Sequence, residues 1–219
     1  MRKDDYLDEK IIKMINQVEN PESTSVISSE TKTEILPEER TIYTGIKIEG
    51  KWIEFEKRSF IDGKITMMVP KEFAEMELEM AKIKYPMEQR PETILTDDMG
   101  GTNILLTHMD TPTNNETMAK IRDGLFYLMH RINPGIKMQS TGEEVIDNID
   151  VAYVEFTNPV MDGKLYNLMF YLDLEGKPLM GNFNCLTKAM KYWQKPAFEM
   201  MQSIKVLAQK GEECVADEL

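Results

Sequence analysis

The sequence predicts an α+β protein, an antiparallel β-sheet flanked by helices and preceded by an amphipathic helix and a linker. From Thr41 onward, several segments alternate apolar and polar residues with the period of two that is typical of strands. Three other segments repeat apolar residues every three or four positions, as helices do. The predicted strands are joined by short turns, which connect antiparallel rather than parallel neighbours.

Length and charge divide the chain into three parts. Its 219 residues suit one domain with extensions. Residues 1–40 hold ten acidic and six basic residues, and residues 207–219 hold four and one. We therefore expect an acidic N-terminal arm at 1–40, one α+β domain at 41–206, and an acidic disordered tail at 207–219.

The arm contains a short amphipathic pattern followed by a linker rich in Ser, Thr and Pro from Glu19 to Arg40. The apolar residues of the pattern share one helical face: Leu7, Ile11, Met14, Ile15 and Val18. A helix of this length is marginal without a surface to cover its stripe. We predict that it docks on another protein chain, either a second copy or a different partner.

The first half of the domain reads as a hairpin, a third strand, a helix and two more strands. The hairpin is expected from Thr41 to Phe55, and the third strand at Lys64–Val69. Phe73, Met76, Met80 and Ile83 predict a helix over 71–84 that ends at Pro86. The next two strands flank the turn around Gly100-Gly101, which lacks the helix start and lysine of a phosphate-binding loop.

The second half reads as a helix, four strands and a closing helix. Thr113 and Glu116 have capping-box spacing before a helix over 115–131, which Asn133-Pro134-Gly135 ends. The apolar stripe of that helix is Met118, Ile121, Leu125, Leu128 and Ile132. The four strands are predicted at 136–140, 149–157, 165–174 and 178–185. The closing helix, 187–204, contains Pro196, which predicts a kink or a restart there.

Several phrases resemble the PsbP/Mog-like fold family over about residues 52–206. They are Met68-Val-Pro-Lys-Glu-Phe73, Tyr166-Asn-Leu-Met-Phe170, Asn182-Phe-Asn-Cys185, and the segment from Trp193 to Ser203-Ile204. The family includes the extrinsic protein of photosystem II, a Ran-binding import factor, the periplasmic DcrB family, and secretion-effector chaperones of Gram-negative bacteria. The resemblance implies an α/β/α sandwich that acts mostly by binding other proteins, and it supplies no catalytic motif. Some members are lipoproteins or secreted proteins, whereas we expect neither a lipobox nor a signal peptide here.

Charge and composition restrict the partners. A net charge of -12 without any basic run argues against nucleic acid and anionic membranes. No apolar run approaches the ~20 residues of a membrane span. The two cysteines, Cys185 and Cys214, do not form a disulfide framework, so we expect a cytoplasmic protein. We also expect no cofactor.

One cluster of candidate catalytic residues is visible. His108 ends a predicted strand beside Asp110, and Asp97 and Asp98 lie on the turn opposite, so a base or a metal site is conceivable at one sheet edge. The stronger interpretation is structural, because turns favour Asp for local backbone hydrogen bonding. His130 suits the end of its helix, and Cys185 is expected to be a buried, inert thiol.

Eighteen methionines are the compositional oddity. Met76, Met80, Met118, Met190 and Met200 have helical core spacing, whereas Met99, Met109 and Met161 are the better surface candidates. Methionine surfaces adapt to varied apolar partners.

The function that these observations favour is a non-catalytic protein-binding module, of the adaptor or chaperone-like kind. The first alternative is a protein that binds a small apolar ligand or lipid in a pocket lined by Trp52, Phe170 and Trp193. The second alternative is a hydrolase with a site assembled from scattered Asp, Glu, Tyr and His108.

Overall fold

A computed structural model describes residues 40–86, 90–112, 117–161 and 163–207. The proposed arm helix and residues 208–219 of the acidic tail therefore lie outside the described residues, and the three-part domain division stays a prediction. Within the described ranges, every strand pairing is antiparallel. The predicted α+β class is confirmed.

Twelve strands and three helices make up the described part of the chain. The strands are β1 Ile46–Ile48, β2 Lys51–Ile53, β3 Phe55–Phe60, β4 Ile65–Pro70, β5 Ala74–Glu75, β6 Thr93–Thr96, β7 Asn103–His108, β8 Lys137–Ile146, β9 Ile149–Val160, β10 Gly163–Leu174, β11 Lys177–Leu186 and β12 Lys205–Val206. The helices are α1 Leu78–Lys84, α2 Met118–Ile132 and α3 Met190–Gln202.

Seven strands form the main sheet, in the order β5-β6-β7-β11-β10-β9-β8. One face buries alternate residues of β10, such as Leu168, Phe170 and Leu172, in a core shared with α3 and with the small sheet β12-β4-β3. The other face buries Met169 and Tyr171 against α2. It also packs Ile94 and Leu105 against α1. The layers are therefore those of an α/β/α sandwich.

The first half of the domain departs from the predicted elements in three places. Residues 41–44 form a turn, closed by a hydrogen bond from the Thr44 N–H to the Thr41 carbonyl at 3.0 Å, so the first strand begins only at Ile46. Strand β3 was missed because its interior, Glu56 to Ser59, is polar and shows no apolar alternation. The helix expected over 71–84 begins at Leu78.

The second half keeps the predicted order but shifts several boundaries. Helix α2 begins after Thr117, whose hydroxyl accepts a hydrogen bond from the Lys120 N–H, so the cap is not Thr113. Strands β8 and β9 are longer than predicted and meet at Asp147 and Asn148, which both adopt positive φ. Helix α3 runs through Pro196 as one element, so of the kink or restart that we expected, the restart does not occur.

Candidate functional site

Helix α1 exposes most of its apolar residues. Only Ala81 is buried, whereas Ile83 is 78% exposed and Met80 is 54% exposed. The helix starts late because the chain before it pairs with β6, including a hydrogen bond from the Met76 N–H to the Ile94 carbonyl at 2.8 Å. The predicted core stripe is therefore wrong at Met80 and Ile83, which lie at the surface.

A shallow groove of about 530 Å³ lies between α1 and the turn at residues 97–100. Its apolar lining comprises Met76, Met80, Ile83 and Met99, and we call it the methionine groove. Met99 is 91% exposed, as the sequence predicted for a surface methionine. Unbranched, polarizable side chains let such a surface adjust to the shape of an apolar partner.

The turn that carries Met99 is fixed on both sides. The Asp97 carboxylate accepts hydrogen bonds from the Gly101 N–H at 2.7 Å and the Thr102 N–H at 3.1 Å. On the other side, the Lys84 ammonium donates to the Gly100 carbonyl and to Asn103 Oδ1. Burial lowers the pKa of Lys84, and the nearby Asp97 partly opposes that effect. These bonds link the last turn of α1 to the turn that presents Met99.

A second, smaller cavity of about 280 Å³ lies on the other side of the same turn. Trp193 of α3 lines it together with Ile48, Ile53 and Phe73. The Trp193 ring lies 5.8 Å from the Phe73 ring and 5.5 Å from the Phe183 ring, between centroids. This cavity and the methionine groove both include Asp97, Asp98 and Met99 in their linings, so the turn that carries Met99 contributes to both.

The other two aromatic residues of the predicted ligand pocket lie elsewhere. Phe170 is buried in the same core cluster as Trp193, with its ring over Gly181. Trp52 is partly exposed and packs against Gly45, under the Arg40 guanidinium at 5.4 Å from the ring centroid. Neither residue lines the Trp193 cavity. Ligand binding at these three residues stays a prediction.

The candidate catalytic residues around His108 form separate contacts and do not meet in one site. A ring nitrogen of His108, Nε2, lies 3.0 Å from the Leu174 carbonyl oxygen. Asp110 accepts a hydrogen bond from Lys177 at 3.2 Å. Asp97 bonds its own turn, as the structural interpretation of that residue expects. In the described ranges, no group of three or more His, Cys, Asp or Glu side chains is placed to hold a metal ion.

Two further groups lie in the core. Cys185 is buried as predicted, and burial raises the pKa of its thiol to about 12. The Glu155 carboxylate, also buried, accepts hydrogen bonds from the Tyr166 hydroxyl at 2.5 Å, from Gln194 of α3 at 2.8 Å, and from Ser140. Burial, and then the bond to Glu155, raise the pKa of Tyr166.

Leu7, Ile11, Met14, Ile15 and Val18 lie outside the described residues, as does Cys214. The helical period placed the groove residues Met80 and Ile83 in the core, although the sequence contains an indication that they are exposed. From Glu75 to Met80, Glu alternates strictly with Met or Leu. That period of two contradicts a buried helical stripe and suits a segment that pairs at a sheet edge before a short helix.

Comparisons with known proteins show the fold. No protein-family model matches the sequence, and no curated protein does. The solution structure of cyanobacterial PsbP (CyanoP) from Synechocystis sp. PCC 6803 is similar with a TM-score of 0.55 at 11% identity, over 70% of this chain and 92% of that one.

Two other solved structures are more distant. LpqN of Mycobacterium tuberculosis, involved in cell envelope biogenesis, has a TM-score of 0.45 at 11% identity, over 76% of this chain and 97% of LpqN. The immunity protein TplEi of the type VI secretion system of Pseudomonas aeruginosa has a TM-score of 0.39 at 11% identity, over 74% and 90%. The chain has a PsbP-like fold, as its resemblance to that family implied.

Proposed function

We propose that this chain is a non-catalytic, adaptor or chaperone-like module that binds another protein, and that the methionine groove receives the apolar stripe of a partner helix. The observation that carries the proposal is the exposure of Met80, Ile83 and Met99 around one groove. Exposed apolar side chains that cluster in this way mark interaction surfaces more often than scattered ones do.

A helix fits the groove better than an added strand. The adjacent sheet edge is β5, which has only two residues and so offers few backbone hydrogen bonds to an incoming strand. A partner helix would instead bind through side chains, with anchors at positions i, i+3 and i+4. The turn that presents Met99 is held by Asp97 and Lys84, which lowers the entropy lost when the partner binds.

The sites that suggested catalysis are engaged in structural contacts, which favours binding over hydrolysis. Asp97 bonds its own turn, Asp110 bonds Lys177, and His108 contacts the Leu174 carbonyl. Among the described residues, no helix has both the length and the apolar character needed to cross a bilayer. The partner that the methionine groove favours is another protein chain.

A matched pair of variants tests the proposal. The groove variant is Ile83→Asp with Met99→Asp. The control is Ile132→Asp with Met161→Asp, which makes the same substitutions at residues that are equally exposed but lie elsewhere. Ile132 ends α2 and is 84% exposed, and Met161 lies fully exposed after β9.

Each full-length variant is used to capture proteins from a lysate of the source organism, with quantification by mass spectrometry. Since burial of one large side chain contributes about 1.5–3 kcal/mol, the groove variant should lose the specific partner at least tenfold. The control should keep it. Equal capture by the two variants, or equal loss, contradicts the proposal. Circular dichroism melts confirm that both variants fold.

A further inference from the structure

Carboxylates line the two cavities on either side of Met99. The cavity linings include six acidic residues and two lysines: Glu49, Glu72, Glu75, Glu77, Asp97 and Asp98, with Lys51 and Lys84. We call these eight residues the acidic rim. The protein is acidic as a whole, with 38 acidic and 26 basic residues, but the ratio of acidic to basic residues is higher in the rim.

Both lysines of the rim are already engaged. Lys51 forms a hydrogen-bonded ion pair with Glu72. The hydrogen bond to Glu72 is the largest cause of the raised pKa of Lys51, and the charges of Asp98 and Asp97 raise it further. Lys84 donates to the Gly100 carbonyl and to Asn103. Within the described part of the chain, Glu49, Glu75, Glu77 and Asp98 form no ion pair.

An apolar partner that covers the groove would bring these carboxylates into a drier environment. Partial desolvation of a carboxylate is costly unless a cation accompanies it. A partner that carries Lys or Arg beside its apolar stripe supplies those cations and gains from the attraction at the rim. Among amphipathic helices, charge complementarity therefore favours those with Lys or Arg beside the apolar stripe.

We infer that the partner segment is a basic amphipathic helix, which places its apolar stripe on Met76, Met80, Ile83 and Met99 and its Lys or Arg residues against the acidic rim. The inference rests on the proposed function and adds the charge of the partner. Attraction between exposed charges is screened by salt, so the complex should weaken as ionic strength rises.

Three synthetic peptides of about 14 residues test the inference on the full-length protein. All have the same leucine stripe, and their polar positions are occupied by lysine, glutamine or glutamate. Isothermal titration calorimetry at low salt should give the lysine peptide at least tenfold tighter binding than the glutamine peptide and no measurable binding of the glutamate peptide. The affinity of the lysine peptide should fall as salt is raised.

Two charge-reversal variants distinguish the effect of the acidic rim on peptide binding from the effect of the protein's net charge. The rim variant is Glu77→Lys with Asp98→Lys, and the control is Glu143→Lys with Asp150→Lys at the opposite edge of the sheet. Both raise the net charge equally, and all four residues are exposed. The rim variant should weaken binding of the lysine peptide at least tenfold, while the control should change it less than threefold.

The outcomes distinguish this inference from the proposed function. If the three peptides bind equally and Ile83→Asp with Met99→Asp abolishes their binding, the groove binds helices but the charge inference is wrong. If the two charge-reversal variants weaken binding equally, the effect is one of net charge and the inference is also wrong. If no peptide binds, both the inference and the helix-binding groove are contradicted.

Discussion

Helices α1 and α3 contain similar apolar patterns and use them in opposite ways. In α3, the predicted stripe is confirmed: Trp193, Ala197 and Met200 are buried, and Met190 packs against the same core. In α1, Met80 and Ile83 face solvent and only Ala81 is buried. The difference teaches that the pattern indicates which side of a helix is apolar, but not what covers it.

Position on the sheet explains the difference. Helix α3 packs on the central strands β10 and β11 and on β4 of the small sheet, so both sides of its stripe meet strands. Helix α1 packs at the sheet edge, against Ile94 of the four-residue strand β6 and Leu105 of β7. A seven-residue helix at an edge has little protein to cover it.

The largest effect should come from the sheet beneath α3. In Gly181→Ala, the added Cβ would lie 1.9 Å from Cζ of Phe170, which is buried and cannot move freely. We expect a loss of about 3 kcal/mol or more in the free energy of unfolding, measured by urea denaturation. Phe170→Leu in the same chain should recover part of the loss.

Gly124→Ala is the control for that change, because a Cβ at this position of α2 meets nothing within 4 Å. Helix propensity predicts that this control gains about 0.5–1 kcal/mol. A Gly181→Ala protein as stable as the wild type would show that the sheet can shift to accommodate Phe170.

Truncation of methionine in the two helices tests the comparison directly. Met201→Ala in α3 removes a fully buried side chain and should cost about 2–5 kcal/mol. Met80→Ala in α1 removes a half-exposed one and should cost less than about 0.5 kcal/mol. Thermal and urea denaturation measure both. Similar losses in the two variants would mean that Met80 belongs to the core.

Polar hydrogen bonds also connect these two helices to the sheet, for example from Gln194 of α3 to Glu155 and from Lys84 of α1 to Asn103. Glu155→Gln keeps the shape of the side chain but replaces charged hydrogen bonds by neutral ones, so we expect a loss of about 1 kcal/mol. The exposed Glu143→Gln should change the free energy of unfolding by less than about 0.5 kcal/mol. A Glu155→Gln protein of unchanged stability would contradict this expectation.

The last expected effect depends on pH, because burial raises the pKa of the Cys185 thiol from 9.0 to about 12. Its neutral form stabilises the fold fully below pH 9, and this contribution is lost as pH rises towards 12. Cys185→Ala should therefore lose less stability than the wild type between pH 9 and pH 11. In a Cys214→Ser background, a thiol reagent at pH 8 should react with Cys185 only after unfolding; rapid reaction of the folded protein would contradict its burial.

Much of the fold could be predicted from the sequence. Alternation predicted the long strand around Cys185, whose Leu179, Phe183 and Cys185 lie on the face that packs in the core. The strand around Phe170 is instead a nearly continuous apolar run, because both of its faces are buried. Turn chemistry predicted the Glu175-Gly176 connection, where both residues adopt positive φ. The 3.6-residue period predicted the buried face of α3. These signals are local, and each residue type carries its own physical preference.

Other features depended on partners distant in sequence, so only the tertiary structure decided them. Strand β3 has a polar interior and exists because Arg58 and its neighbours pair with β4. Leu128 and Ile132 continue the stripe of α2 but are exposed, since the buried face of that helix includes Arg122 instead, whose guanidinium donates to the Gly142 carbonyl at 2.9 Å. The methionine groove arises in the same way. Met80 and Ile83 are apolar by sequence, but their exposure follows from the position of α1 at the edge of the sheet.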